Sequence, residues 1–296
     1  MNIQSLSICV PGTSCMNKCK FCVSRMRKSK YEQKLNRYIF TGQNMDDYVN
    51  RLEFARDNNC NTMMITGECE PQQNLSFIED LLVDVNRELR KPFRNIEIQT
   101  TGAGIKENTL EKFRKWGICT ISLSISCLVD DKINNEIIGI TRDDIKINLK
   151  DLCANIFQFG FNLRLSLNVT KNLIDHDYPS YEFIFNRCKQ LYANQVTFRK
   201  MYSSGSETEQ DKWIEENKLL DEEKWFKGLA EYIKAHGNYI DTLEYGNNRY
   251  SMNGISVVVD DDCMAKRKNK RAAKYLILRP DCHLYSKWDD AGSIVF

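Results

Sequence analysis

The sequence predicts an α/β fold, a partial (β/α)6 TIM barrel followed by a small C-terminal α+β cap. Short runs rich in β-branched residues alternate with amphipathic segments of several turns, which is the pattern of parallel βα units. The length of 296 residues exceeds the roughly 100 to 200 residues of an ordinary domain but suits one barrel with an appendage. Hydrophobic residues make up 42% of the chain and only five residues are prolines, so a real core can form.

The barrel elements follow one another along the first two thirds of the chain. β-Branched and apolar runs predict six strands, at residues 6–10, 62–66, 95–100, 119–126, 162–169 and 195–201. Amphipathic patterns between them predict five helices, at residues 46–58, 75–90, 107–116, 143–159 and 181–192. The strands read as apolar almost throughout, which favours a sheet that helices cover and that curls around a filled interior. We expect the barrel to end near Tyr202.

The remaining residues predict an appendage rather than a second large domain. Polar residues 203–210 indicate a linker, and an amphipathic pattern then predicts a helix over 211–236 with a break near Asp221. Short strands are expected at 255–259 and 275–278, and residues 279–288 are typical of a hairpin. Because this segment is too small to fold alone, we assign residues 1–205 to the barrel and 206–296 to a helix and β-hairpin cap.

Composition excludes several classes of protein. The net charge of +2 excludes a globally basic protein that wraps nucleic acid, and no apolar stretch approaches the roughly 18 residues of a membrane span. The first ten residues lack the basic region and long apolar run of a signal peptide, so we expect a cytoplasmic, reducing location without disulfides. Twelve cysteines against three histidines then indicate chemistry that depends on thiolates.

Three cysteines have a spacing suited to an iron–sulfur cluster. Cys15, Cys19 and Cys22 form a C-x3-C-x2-C pattern in the loop after the first strand. Three thiolates bind three irons of a [4Fe–4S] cluster and leave the fourth iron open to another ligand. Loops that follow barrel strands are also where such folds build active sites. The alternative is a zinc site completed by a fourth ligand such as Cys9 or Cys60.

The run CMNKCKFC at residues 15–22 resembles the signature of the radical S-adenosylmethionine (SAM) superfamily, and the resemblance covers most of residues 4–202. It implies that Cys15, Cys19 and Cys22 hold a [4Fe–4S] cluster whose open iron binds SAM. It further implies that one electron cleaves SAM to methionine and a 5′-deoxyadenosyl radical. Phe21, the aromatic residue before the third cysteine, would lie beside the adenine.

The end of the second strand resembles the family's Gly-Gly-Glu-Pro turn, whose backbone and carboxylate hold the methionine ammonium group. The corresponding run is ITGECEP at residues 65–71, which implies that Gly67 and Glu68 bind the cofactor. The chain departs from the pattern at two positions. Thr66 replaces the first glycine, and Cys69 is inserted before the Glu-Pro pair.

Further residues are similar to the molybdenum-cofactor GTP cyclase branch of the family. By that match Thr100 and Ser124 bind SAM, with Ser124 at its methionyl or ribose part, and Met201 packs on the adenine. Arg164 stands where that branch has a substrate-binding lysine. We therefore expect Arg164 to point inward near the C-terminal end of the fifth strand and to bind an anionic substrate.

The chain also lacks features of that branch. Ile8 and Met63 replace arginines that bind a triphosphate, so GTP is not the expected substrate. Cys263 and Cys282 are isolated thiols rather than a close ligand set, and a second cluster held by them is the minor alternative. We expect a single cluster.

Other cysteines invite a redox or a structural interpretation. Cys69 and Cys127 follow the second and fourth strands and are expected near the barrel mouth, where a thiol could return a hydrogen atom to a substrate radical. The alternative is that both are small buried residues. Core positions are expected for Cys60, Cys119, Cys153 and Cys188.

Two basic runs, within residues 25–37 and 266–274, are either solvated loops or an electropositive rim for an anionic substrate. The acidic residues 260–262 beside the second run weaken a nucleic-acid interpretation. A rival of another class is a non-catalytic metal-binding protein whose basic loops bind nucleic acid.

Together these features predict a cytoplasmic, oxygen-sensitive radical SAM enzyme that abstracts hydrogen from a small metabolite or nucleotide, expected to be anionic. A peptide or protein is the alternative substrate, as in epimerising, crosslinking or glycyl-radical-activating members of the family. The resemblance implies a one-electron donor such as flavodoxin or ferredoxin as a partner. No membrane partner is expected.

Overall fold

The computed structural model describes residues 2–12, 14–26, 45–90, 92–173, 180–243, 246–260, 272–288 and 290–296. Its strands are β1 (Asn2–Ile3), β2 (Leu6–Val10), β3 (Thr62–Gly67), β4 (Asn95–Thr100), β5 (Thr120–Ile125), β6 (Asn162–Asn168), β7 (Gln195–Arg199), β8 (Asn238–Thr242), β9 (Asn248–Met252), β10 (Ile255–Asp260), β11 (Ala272–Ala273), β12 (Leu276–Leu278) and β13 (Leu284–Tyr285).

The α-helices are α1 (Val23–Met26), α2 (Met45–Asp57), α3 (Leu75–Glu79), α4 (Asn86–Glu88), α5 (Glu107–Lys115), α6 (Asp131–Ile138), α7 (Leu149–Gln158), α8 (Tyr181–Gln190), α9 (Glu209–Asn217) and α10 (Glu222–His236). A π-helical segment, Asp80–Val85, joins α3 to α4, and 3-10 turns lie at Pro71–Asn74 and Asp143–Ile145. Within the described ranges, no helix combines the length and apolar character needed to cross a membrane.

One large, mostly parallel sheet surrounds a central cavity. Its strand order is β13-β12-β2-β3-β4-β5-β6-β7-β10-β9-β8, while β1 and β11 pair separately. Every pair from β12 through β10 is parallel. The predicted α/β partial barrel is therefore confirmed, and β12 and β10 extend its six parallel strands at both edges.

The barrel strands alternate in polarity, so the expectation of apolar strands around a filled interior is wrong. In β3, Met63 and Ile65 are fully buried in the main hydrophobic core, whereas Met64 and Thr66 line the cavity. Strands β4, β6 and β7 repeat this pattern, with apolar side chains in the core and polar ones in the cavity. Successive strand side chains point to opposite faces, so an alternating sequence places many polar side chains in the lumen, inside an apolar outer layer.

The helix expected over residues 143–159 begins later than its pattern suggests. Asp143–Ile145 forms a 3-10 turn, and α7 begins at Leu149 because the Asn148 side chain accepts a hydrogen bond from the Asp151 backbone N–H. The sequence patterns also do not predict α6, which is short and depends on its ends. The Asp130 side chain caps its first turn, and Gly139 ends it in the left-handed conformation at φ 72°.

The C-terminal segment is joined to the barrel by strand pairing. The expected break near Asp221 is confirmed, since its side chain accepts a hydrogen bond from the Lys224 N–H and begins α10. Strand β10 pairs with β7, and β12 pairs with β2, so the proposed cap contributes to the same sheet as the barrel. The division near residue 205 stays a prediction. Strands β8 and β9 were not anticipated from the sequence pattern.

Candidate active site

The three motif cysteines lie in the loop between β2 and α1, at the carboxyl end of the first barrel strand. Cys15, Cys19 and Cys22 are all half-buried and free of disulfides. The Asn17 backbone N–H points at the Cys15 sulfur, with N and Sγ 3.4 Å apart. The loop thus presents three thiols on one short segment, with a backbone donor directed at one of them.

The cysteine loop rests against the C-terminal end of α6. The backbone N–H of Lys18 donates to the Ile138 carbonyl at 3.1 Å, and that of Lys20 donates to the Ile137 carbonyl at 2.9 Å. Gly139 allows this approach, because a Cβ added there would lie 2.4 Å from the carbonyl oxygen of Lys18. The end of α6 therefore offers orphan carbonyls to the loop, and a glycine leaves the room that the loop needs.

A buried carboxylate holds the loop from the other side. Glu70 is only 7% exposed. Its oxygens accept hydrogen bonds from the Thr101 backbone N–H and from the side chains of Asn17, Gln72 and Thr100. Asn17 also donates to the Thr101 hydroxyl at 2.9 Å, which ties the motif to the end of β4. Because its acceptor capacity is used by the protein, Glu70 acts as a structural anchor.

Two residues of the turn after β3 fasten the loop further. The Gln73 amide accepts from the Met16 N–H at 2.8 Å and donates to the Ser14 carbonyl at 3.0 Å. The Asn74 amide donates to the Pro11 carbonyl at 3.0 Å. The loop is therefore held by backbone and amide contacts that leave its thiols available as ligands.

Burial disfavours the charged form of two of the loop thiols, those of Cys15 and Cys19. It is the main cause that raises the pKa of Cys15 and raises that of Cys19 well above its usual value, and the neighbouring thiols and Glu70 add to the effect. Ligand cysteines must be deprotonated, so binding of a metal to these thiols would release protons. In the described ranges, no three His, Cys, Asp or Glu side chains are arranged to hold a metal ion.

The turn after β3 gives different environments to two carboxylates that are two residues apart in sequence. Glu68 lines the cavity, whereas Glu70 is enclosed by its hydrogen-bond partners. Gly67 lies close to the β2 backbone, because a Cβ placed there would be 3.1 Å from the Val10 carbonyl oxygen. Of the two carboxylates, Glu68 is the one placed to meet a ligand.

A cavity of about 800 Å³ occupies the lumen below the cysteine loop. Its walls extend from the amino ends of the strands, at Thr62 and Asn162, to the carboxyl ends, at Gly67 and Arg199. Val23 and Ser24, which directly follow the last motif cysteine, line the same cavity. The loop that carries the thiols therefore adjoins a lumen large enough for a small-molecule ligand.

The structure places Arg164 differently from the sequence expectation. Arg164 lines the cavity, but it is the third residue of β6 and lies beside Gln195, the first residue of β7, so it belongs to the amino half of the barrel. Its guanidinium forms an ion pair with Glu97 and donates to the Gln195 amide oxygen at 2.6 and 2.8 Å. The expected position near the carboxyl end is wrong, and Glu97 already balances this charge.

The other residues implied to bind SAM lie at the carboxyl ends of the strands. The Ser124 hydroxyl accepts from the Asn168 amide at 3.1 Å, and Thr100 belongs to the network around Glu70. The Phe21 ring packs against Trp213, with ring centroids 6.1 Å apart, and Met201 is half-buried just beyond β7. Their roles toward SAM stay predictions.

The remaining cysteines occupy distinct environments. Cys69 is half-buried, and burial together with nearby Cys15 and Glu68 raises the pKa of its thiol to about 12. Cys127 is completely buried. Cys119 lines the cavity, so the core position expected for it is wrong. Cys60 precedes β3 at the amino end of the barrel, opposite the cysteine loop, so it cannot complete a zinc site there.

The sequence interpretation missed three contributors to this site: Asn17, Glu70 and Gly139. Asn17 stands within the cysteine motif, and a polar residue there could have signalled an anchor. The helix caps Asp130 and Gly139 bracket a helix-length segment and could have revealed α6.

Cys263 and almost all of the two basic runs lie outside the described residues. Cys282 is buried, with only 4% of its surface exposed.

Comparison with known proteins shows similarity in fold. No family model matches the sequence, and no curated protein matches it. Streptococcus suis SuiB bound to precursor peptide SuiA aligns with a TM-score of 0.60 and 19% identity, over 96% of this chain and 59% of SuiB. The chain thus spans less than two thirds of SuiB.

Two other solved structures extend the comparison. Native anSMEcpe with bound AdoMet aligns with a TM-score of 0.62 and 14% identity, over 98% of this chain and 75% of that protein. Escherichia coli coproporphyrinogen III oxidase (HemN), described as a radical SAM enzyme, aligns with a TM-score of 0.51 and 14% identity, over 80% of this chain and 54% of HemN. The chain therefore has the fold of the radical SAM enzymes.

Proposed function

We propose that this protein is a radical SAM enzyme that acts on a substrate bound in the barrel lumen. The observation that carries the proposal is the cysteine loop, which is held at the carboxyl edge of the sheet next to a cavity of about 800 Å³. The fold and the motif spacing support the same function. Each of these features alone fits other proteins, but their combination in one site favours this chemistry.

The donor set fits a [4Fe–4S] cluster. Cys15, Cys19 and Cys22 are free thiols on one loop, and the backbone N–H of Asn17 reaches the Cys15 sulfur. Hydrogen bonds to cluster sulfurs are one means by which a protein tunes the reduction potential. Asn17 and Glu70 hold the loop through groups other than its thiols, and Gly139 leaves the room that the loop needs. These three thiols would therefore hold the cluster and leave one iron for SAM.

When bound, the cluster supplies the single electron that cleaves SAM into methionine and a 5′-deoxyadenosyl radical, which abstracts a hydrogen atom from the substrate. The chain's residues bind and orient the reactants. Glu68 would accept the methionine ammonium group beside the Gly67 backbone, and Phe21 and Met201 would flank the adenine. The apolar layer outside the barrel and the loop above it would limit water entry during the radical step.

The substrate class is a small anionic metabolite or nucleotide, or a peptide. The lumen supports the first class, since about half of the described residues that line it have hydroxyl or amide side chains. The neighbours favour the second as an alternative, because SuiB was solved with precursor peptide SuiA and anSMEcpe with the Cp18Cys peptide. A one-electron donor of the flavodoxin or ferredoxin type is the partner that this chemistry requires.

Anaerobic reconstitution with iron and sulfide tests the cluster assignment. The wild-type protein should bind about four irons and four sulfides per chain, by the cluster stoichiometry. Replacing Cys15, Cys19 and Cys22 together by alanine should remove them, whereas Cys153→Ala, at a buried position remote from the loop in sequence, serves as the matched control. A cluster that survives the triple replacement, or a colourless protein that binds one zinc ion instead, would contradict the proposal.

A further inference from the structure

Among the described residues, three arginines line the lumen, and their charges are not balanced in the same way. Arg164 pairs with Glu97, and Arg249 pairs with Asp241. Arg199, the last residue of β7, forms no ion pair or side-chain hydrogen bond with any side chain that the structure describes. Its Nε atom is buried without a hydrogen-bond partner. Of the described lumen arginines, Arg199 is therefore the one whose charge no described side chain balances.

The position of Arg199 is at the end of the lumen nearest the cysteine loop. It shares one face of β7 with Gln195 and Thr197, and all three line the cavity. Its register neighbour on β6 is Asn168, whose amide donates to the hydroxyls of Ser124 and Ser126. A group bound by Arg199 would lie at the carboxyl ends of the strands, where the proposed radical is formed.

We propose that Arg199 binds an anionic group of the substrate, a carboxylate or a phosphate. This inference rests on the proposed function, which makes the lumen the substrate site. A buried guanidinium N–H without an acceptor is costly, and a planar guanidinium can donate two parallel hydrogen bonds to either anion. The bound anion would accept the hydrogen bonds from Arg199 that no described protein group accepts. The same chemistry is present in the SAM carboxylate, so the two sources must be distinguished by experiment.

The test measures binding of inorganic phosphate and, separately, of SAM to the anaerobically reconstituted protein by calorimetry. Arg199→Gln should weaken phosphate binding by roughly 10- to 150-fold, as expected for a charge-assisted hydrogen-bonded contact. Arg199→Lys keeps the positive charge but loses the two parallel donors of the guanidinium, so it should give an intermediate loss of phosphate affinity. If the glutamine variant does not fold, the lysine variant still tests the proposal. The matched control is Arg249→Gln, another lumen arginine, and it should bind phosphate like the wild type.

Several results would overturn this assignment. They are a wild-type protein that binds no phosphate, equal losses in the Arg199→Gln and Arg249→Gln variants, and a loss confined to SAM. Asp260 is the register neighbour of Arg199 on β10, so Asp260→Asn is tested as well. If that variant tightens phosphate binding as strongly as Arg199→Gln weakens it, Asp260 neutralises Arg199 and the proposal fails.

The outcome is separable from that of the proposed function. Formation of 5′-deoxyadenosine by the wild-type protein tests the radical chemistry and does not depend on phosphate binding. If the wild type cleaves SAM but phosphate affinity is independent of Arg199, only the anion site is refuted. If phosphate affinity depends on Arg199 but SAM is never cleaved, the proposed function is refuted and the anion site stands.

Discussion

Replacing Gly139 by alanine should displace the cysteine loop and lower the iron content of the reconstituted protein. Two costs combine at this position. Gly139 has φ 72°, a left-handed conformation that costs a residue with a Cβ roughly 1–2 kcal/mol. The new Cβ would also lie 2.4, 2.6 and 2.9 Å from the O, C and Cα atoms of Lys18. These are backbone atoms, so the loop itself must move.

The size of the second cost follows from the contacts that the loop would lose. Moving Lys18 away from α6 breaks its hydrogen bond to Ile138 and strains the one between Lys20 and Ile137. Each such bond contributes about 0.5–1.5 kcal/mol, so breaking one and weakening the other should cost the loop about 0.5–3 kcal/mol of anchoring free energy beyond the left-handed strain. Since Cys15, Cys19 and Cys22 share this loop, their relative positions should change with it.

A matched control isolates the clash from the backbone strain. Gly117 has φ 86°, and an added Cβ would meet nothing within 4 Å. Gly117→Ala should therefore lower the free energy of unfolding by roughly 1–2 kcal/mol and leave the iron content at the wild-type value. The measurements are denaturant unfolding and iron and sulfide content after anaerobic reconstitution. If Gly139→Ala binds as much iron as Gly117→Ala, α6 does not position the cysteine loop and the reasoning is refuted.

Three further predictions concern Glu68, the buried carboxylate of Asp211 in the first turn of α9, and the thiols of Cys69 and Cys127. Glu68→Ala should raise the dissociation constant for SAM at least tenfold with iron content retained; an unchanged constant in equilibrium binding would exclude the proposed ammonium contact. Asp211 is 4% exposed, and although burial alone would raise the pKa of its carboxyl, hydrogen bonds from Thr208, Ser204 and Ser203 lower it below its usual range. The lowered pKa stabilises the fold at neutral pH, so Asp211→Asn should cost about 1–3 kcal/mol there. Denaturant unfolding should show this difference shrinking as the pH falls below about 4, and a pH-independent difference would argue against it. Cys69→Ala should reduce solvent deuterium in product formed in D2O, whereas Cys127→Ala, at a fully buried position, should affect stability alone; mass spectrometry that shows equal deuterium in both variants would dismiss Cys69 as the hydrogen donor.

The positions of the barrel strands could be predicted because each strand is a local run between turn signals. Their parallel direction could be predicted because helices alternate with them along the chain. The strands β2 to β7 lie within one or two residues of the expected ranges. Short elements such as α6 escaped prediction, since eight residues carry little periodic signal and the helix depends on its caps at Asp130 and Gly139. The sequence shows both caps, but it does not show that the cysteine loop is hydrogen-bonded to the C-terminal end of this helix.

The site was predictable where it depends on spacing and was not where it depends on contacts between distant strands. The cysteine triplet is local, so its loop was found directly. Arg164 and Glu97 are separated by 67 positions, and only the order β4-β5-β6 brings them together, with β5 between their strands. Likewise, Glu68 and Glu70 are two residues apart and look alike in sequence, and only their environments distinguish a cavity-lining carboxylate from a structural anchor.

The most direct test of the central claim is the formation of 5′-deoxyadenosine from SAM. The reconstituted wild-type protein is reduced with dithionite under anaerobic conditions, given SAM, and analysed by liquid chromatography and mass spectrometry. We expect 5′-deoxyadenosine and methionine in equal amounts from the wild type, and neither from the protein in which Cys15, Cys19 and Cys22 are replaced by alanine. A wild-type protein that binds a full cluster and SAM yet forms no 5′-deoxyadenosine would contradict the account.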